Sequence, residues 1–205
     1  MAFVWRTGGA ARVALVLTFF ATLLVSIAAA VALGVVAALV LYVFSSVNRV
    51  RLNALEPRAD GRIHVKHVPR KLENASITVI DVYGSLFFAG ARRLRELLPE
   101  PEGSKHAVVI LRLRGNDQVG ATLIDVINEY AHALAEGGGR LFLCGMEAQV
   151  SERLKRAERL ELHDEVAIFP ATGVLRDSTK QAVAAANEYL RAQRQGGADT
   201  LVWPK

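Results

Sequence analysis

The sequence predicts a membrane α-helical hairpin followed by an α/β domain whose sheet is mixed and mostly parallel, with helices covering it. Three observations predict this. No charged residue occurs from Val13 to Asn48, and Arg6, Arg12, Arg49 and Arg51 bracket that run. Beyond it the hydrophobic period switches repeatedly between strand-like alternation and helical spacing, as far as about Arg194.

Residues 1–50 are read as the hairpin. A single straight helix over 13–48 would be roughly 54 Å long, against a hydrocarbon core of about 30 Å. Two short arms with a turn near residues 26–30 fit better. That fold also puts all four flanking arginines on the cytoplasmic side, as the positive-inside rule requires, whereas a single span would send one pair outside. Arms so short lean on other helices, which suggests part of a larger bundle. Ser26, Ala30, Gly34 and Ala37 are small enough for close helix approach, or serve simply as lipid-compatible filler. A secretory signal peptide is the competing reading, with Ala28-Ala29-Ala30 as its cleavage site. It fails because Val31 to Phe44 continues the apolar run.

The net charge of +5 is unevenly placed. Residues 1–72 hold nine Lys/Arg and two Asp/Glu, and residues 73–205 hold sixteen and eighteen. The basic excess beside the apolar run indicates topology and attraction to anionic lipid, not a nucleic-acid partner. The single cysteine, Cys144, excludes an internal disulfide and a multi-cysteine metal site, fits a reducing compartment, and lies in an apolar stretch that buries it.

Residues 51–62, with Pro57, Gly61 and scattered charges, read as a linker into a domain spanning 63–195, with 196–205 as a tail. Ile63–Val68 alternates as a strand, and 76–82 and 107–113 are Val/Ile-rich strands; 141–144 and 166–169 are shorter ones. A helix over 86–98 sets Phe87, Ala91, Leu94 and Leu98 on one stripe and stops at Pro99 and Pro101. The next, over 121–136, turns Leu123, Ile127, Tyr130 and Leu134 inward and ends at Gly137-Gly138-Gly139. Residues 147–160 form an amphipathic helix through Val150, Leu154, Ala157 and Leu160. Asp177 or Ser178 caps a last helix reaching about Arg194. The order β-β-α-β-α-β-α-β-α implies right-handed crossovers and a mostly parallel sheet.

Val82-Tyr83-Gly84-Ser85-Leu86-Phe87-Phe88-Ala89-Gly90-Ala91, followed by an amphipathic helix, resembles the G-x-L-F-F-A-x-A segment of the cytoplasmic STAS domain of SulP anion transporters. Ala107 to Gly115 is similar to that family's central strand, Gly139 to Gly145 to its G-x-R-L-x-L-x-G strand, and Ile168-Phe169-Pro170 to its late strand and turn. Residues 13–51 resemble the last two spans of such a transporter. Related STAS proteins that antagonise anti-sigma factors carry a phosphorylatable hydroxyl in a D-S/T-x-G-like turn. Here that turn reads Gln118-Val119-Gly120-Ala121-Thr122, with Ala121 at the phosphorylated position. Thr122 therefore reads as a helix-entry residue whose hydroxyl bonds a nearby backbone group.

The candidate interaction or anion loop comprises Asn116, Asp117, Gln118, Gly120 and Thr122, because the loop from Gly115 follows a strand and opens a helix, where backbone N–H groups can hold an anion. The alternative is a solvated turn. Gly137-Gly138-Gly139 has the opposite order and is no phosphate cradle. The five histidines show no metal-ligand spacing; His64 and His67 face opposite ways in a strand. Asp125 and Glu129 read as a wet helical face. No nucleophile, base and orienting group converge, so neither a catalytic residue, a cofactor nor a metal is expected, and the protein is not expected to be an enzyme.

What the resemblance implies is the carboxy-terminal component of a SulP-like inorganic anion transporter: a multi-pass protein of the plasma (inner) membrane with its STAS domain in the cytoplasm. Its role would be regulation or assembly. Transport would need a membrane-embedded partner subunit bearing the missing spans; a homodimer is a further partnership compatible with the sequence. The alternative is a free-standing membrane-tethered STAS regulatory or scaffold protein.

Overall fold

The computed structural model describes residues 9–24, 26–47, 50–58, 62–115, 120–156, 165–174, 176–193 and 203. It divides into two compact units, Met1–Asn48 and Arg49–Lys205.

The first unit is a pair of helices, α1 (Gly9–Leu24) and α2 (Ile27–Val47). Ser26 opens the first turn of α2, its carbonyl accepting the Ala29 N–H at 3.0 Å. The absence of a side chain at Gly34 lets the helices meet: a Cβ there would stand 3.1 Å from Thr18 Oγ1. That hydroxyl turns back to donate to the Ala14 carbonyl at 2.8 Å, so it is satisfied within its own helix. Away from the contact, Leu15, Phe19, Phe20, Val36 and Leu39 are each more than half exposed. Two membrane spans were expected over 1–50; the described residues show instead a packed pair of apolar helices. Among the described residues no helix is long and apolar enough to cross a membrane.

The second unit is built on a six-stranded sheet in the order β2-β1-β3-β4-β5-β6. Its strands are β1 (Arg51–Pro57), β2 (Ile63–Lys66), β3 (Ile77–Tyr83), β4 (Val108–Arg112), β5 (Arg140–Cys144) and β6 (Val166–Phe169). β3 to β6 run parallel, and β1 is antiparallel to both β2 and β3. The segment read as a linker is thus a strand inside the sheet. Pro57 misleads because it closes β1, at the turn into the edge strand β2, where a proline is tolerated. The charges mislead because this end of the sheet is half covered: Glu56 and Lys66 pair across the two strands on an exposed surface.

The helices are α3 (Phe88–Leu97), α4 (Ala121–Glu136), α5 (Ala148–Arg156) and α6 (Asp177–Gln193). Ile80, Val82, Val109, Leu111, Leu141 and Leu143 face α3, α4 and α5. Their neighbours Val79, Val108, Ile110, Phe142 and Cys144 face α6. The inner faces expected of α4 and α5 are buried at Leu123, Ile127, Tyr130, Leu134, Val150 and Leu154; Ala157 and Leu160 lie outside the described residues. The stripe expected of α3 needs correction at its start. Phe87 is 63% exposed, and Leu86, 1% exposed, fills the core in its place, because the chain is still extended at Phe87 and the helical period begins only at Phe88. The tail also differs: Trp203 is buried in the α6-side core, since α6 alone leaves part of that face uncovered.

The motif around Gly84 has a steric cause. Gly84 holds φ at +106°, a region that L side chains rarely adopt. Gly90 lies against the chain entering α3, where an added Cβ would sit 1.9 Å from the Ser85 carbonyl oxygen and 3.2 Å from Val50 Cγ2. Gly90→Ala should therefore destabilise Arg49–Lys205 by about 1–3 kcal/mol in urea unfolding. Gly173→Ala, which meets open space, should stay within about 0.5 kcal/mol of the parent; equal stability of both variants would refute the close approach.

Candidate functional site at the carboxyl edge of the sheet

Parallel strands deliver their carboxyl ends to one edge, where open α/β sheets bind ligands. Asp81 near the end of β3 and Arg112 at the end of β4 are register partners on the α6 face. The Arg112 guanidinium stands 3.0 Å from Asp81 Oδ2, with side-chain exposures of only 14% and 12%. Such a pair repays its desolvation only with good geometry and further hydrogen bonds. Both are present. Tyr83 donates its hydroxyl to Asp81 Oδ2 at 2.8 Å, and Arg112 Nε donates to Thr179 Oγ1, in the first turn of α6, at 3.0 Å.

The network sets protonation states. The hydrogen bond to Asp81, and then its negative charge, raise the Tyr83 hydroxyl above the ordinary phenol range. Burial pushes the Cys144 thiol up to about 11, although Thr179 Oγ1 at 3.7 Å and the Arg112 charge oppose the shift. Cys144 is accordingly a protonated core thiol, not a nucleophile.

Two cavities flank the network. One, of about 150 Å³, lies at the amino-terminal end of α6 between Arg112, Arg114, Thr172 and Ser178. The other, of about 420 Å³, lies over Leu55, Ile63 and Val65 beside Asp81 and Trp203. Both are lined by Arg112, Arg114 and Arg176. The arrangement suits holding an anion. Among the described residues it contains no nucleophile paired with a base.

The loop expected to form the site is placed only in part. Asn116, Asp117 and Gln118 lie outside the described residues. Gly120 caps α4 with extended backbone and no side-chain bond; its carbonyl accepts the Leu123 and Ile124 N–H groups at 3.0 and 3.3 Å. Thr122 is half-buried in the following turn. Neither lines the two cavities. Asp125 and Glu129 are exposed as expected, and Glu129 pairs with Arg95 of α3. Asp81, Tyr83, Arg112, Arg176 and Thr179 were not singled out from sequence, because they are scattered over nearly a hundred positions. The available signal was a lone carboxylate inside the apolar strand 77–83 and an arginine ending the apolar strand 108–112.

A mixed sheet with helices on both faces and a polar carboxyl edge defines an α/β domain of the layered, mostly parallel class. The STAS domain family matches residues 69–174, about half the sequence, and the chain belongs to that family. No curated protein sequence matches it. Its fold is similar to that of the murine solute carrier 26 family member A9 (Slc26a9) anion transporter in the inward-facing state, with a TM-score of 0.67 and 21% identity, over 89% of this chain and 30% of the transporter. A second structure, described as the overall structure of SLC26A9, gives a TM-score of 0.65 at 18% identity, over 95% and 33%. The chain spans about a third of the length of these transporters.

Asp81→Asn strands the Arg112 charge and should cost about 2–4 kcal/mol, whereas Tyr83→Phe removes one hydrogen bond and should cost about 0.5–1.5 kcal/mol; denaturant unfolding of the two variants checks the order. Because the thiol is buried and its raised pKa keeps it protonated throughout the neutral range, maleimide at pH 8 should label Cys144 only after denaturation. Rapid labelling of the native chain would contradict that burial.

Proposed function

We propose that the chain is the carboxy-terminal component of a SulP/SLC26-like inorganic anion transporter, a membrane-anchored STAS domain that regulates or assembles the transporter and does not transport alone. The observation that carries this reading is the coverage of the fold match. Arg49–Lys205 makes up roughly three-quarters of the chain, so a likeness covering 89% or 95% must extend into Met1–Asn48. The apolar helices support the same reading. Leu15, Phe19, Phe20, Val36 and Leu39 are each more than half exposed, and apolar surface of this kind suits a lipid environment.

On this proposal both termini are cytoplasmic, held there by Arg6, Arg12, Arg49 and Arg51, and the protein is multi-pass in the plasma (inner) membrane. The partner is a membrane subunit with further spans. Its need follows from chemistry: between Val13 and Ser45 the only polar side chains are Thr18, Thr22, Ser26 and Tyr42, too few to line a mid-membrane anion path. The role is regulatory, without catalysis or a cofactor.

Purified chain in liposomes should give no sulfate or bicarbonate uptake above empty vesicles, and purification in mild detergent should recover a multi-span membrane protein with it. Robust uptake by the chain alone would overturn the component reading. Purification without any membrane partner would favour a tethered scaffold.

A further inference from the structure

The two cavities at the carboxyl edge differ in character but share one wall. The smaller is polar, bounded by Thr172, Ser178 and Thr179 at the amino-terminal end of α6, where Thr172 Oγ1 donates to Asp177 Oδ2 at 3.0 Å and the Asp177 N–H is bonded to the Val174 carbonyl. The larger has an apolar floor of Leu55, Ile63 and Val65, with Trp203 beside it. Arg112, Arg114 and Arg176 line both. Only Arg112 is committed, to Asp81; among the described residues Arg114 and Arg176 have no carboxylate partner. Arg176 is also held at φ +70°, an uncommon conformation for a long side chain, immediately before α6. Finally, Trp203 is 7% exposed, yet its Nε1–H has no hydrogen-bond acceptor among the described residues.

We propose that this paired cavity binds a soluble organic anion: an aromatic or aliphatic body over Leu55, Ile63 and Trp203, carrying one phosphate, sulfate or carboxylate group between Arg114, Arg176 and the first turn of α6. A bare inorganic anion would satisfy the arginines and leave the apolar cavity unfilled. A neutral apolar molecule would fill the cavity and leave Arg114 and Arg176, which have no carboxylate partner among the described residues, unused. An amphipathic anion satisfies both, and its size matches a cavity within the range of small-molecule sites, about 300–1,000 Å³. The site lies wholly within Arg49–Lys205, so it stands whether or not Met1–Asn48 enters a membrane.

The test uses the full chain carrying Trp5→Phe, which leaves Trp203 as the only tryptophan, in phosphatidylcholine nanodiscs whose formation is scored separately. The probe is 4-nitrophenyl phosphate, whose nitroaromatic ring quenches indole emission on contact. Saturable quenching is expected, with competition by inorganic phosphate only at higher concentration. Arg114→Gln with Arg176→Gln should weaken binding about tenfold or more; both side chains are exposed, so folding is not at stake, and unchanged thermal unfolding confirms this. The neutral 4-nitrophenyl glucoside should give only linear, collisional quenching. Linear quenching by both compounds, or affinity indifferent to the arginine pair, would overturn the site. Inorganic phosphate binding as tightly as the probe would overturn its organic component. Replacing part of the phosphatidylcholine by phosphatidic acid, with no probe present, should leave Trp203 emission unchanged; a shift would assign the ligand to the bilayer and overturn the soluble source.

Discussion

The strict alternation of β4 between two cores is the constraint on which the second unit depends. Val108, Val109, Ile110 and Leu111 are all essentially inaccessible, yet alternate residues belong to different clusters. A slip of one residue would send every side chain to the opposite face, so apolar burial fixes the register. The same parity carries Arg112 to the α6 side with Val108 and Ile110, and brings it level with Asp81 on β3. Placement of this largely buried charged pair is therefore a by-product of hydrophobic packing, not an independent specification.

That pair is a concession in stability. Two apolar residues of similar volume would pack there at lower cost, since desolvation of both charges consumes much of their attraction. Retention of ionic groups where the parallel strands end, beside two further arginines and the start of α6, makes more sense for recognition than for folding. The local field is positive without being free: Asp81 neutralises Arg112 and holds it in place through Thr179, while the outer arginines keep their charge for whatever approaches. For the anion proposed above, a cation held in place by Asp81 and Thr179 would form a preorganised environment, one that does not need to reorganise when a ligand arrives.

Much of this architecture was legible in the sequence, and what was not had physical causes. The helix over 121–136 was readable to its ends because its apolar stripe is continuous and glycines terminate it. Strands β3 to β6 were readable because burial on both faces makes them nearly continuous apolar runs. β1 was not: half-buried along most of its length and antiparallel at the open end of the sheet, it has the mixed composition of a connector. Phe87 was misplaced because periodicity cannot tell where extended chain becomes helix. The site was invisible for a different reason. Its members come from two strands, a loop and the first turn of a helix, and only the fold brings them together, whereas the loop singled out, with Gly120 and Thr122, is contiguous and hence easy to notice. Trp203 lacked any periodic context.

The sealing of Cys144 beneath α6 has a practical side. It is the only cysteine in the chain, and it sits where reagents do not reach. The native sequence is thus a cysteine-silent background: a thiol introduced at one exposed position, such as the outer face of α4, would be the sole attachment point for a spin label or fluorophore. Motions of this domain relative to any partner are open to distance spectroscopy without first stripping out or replacing a core side chain.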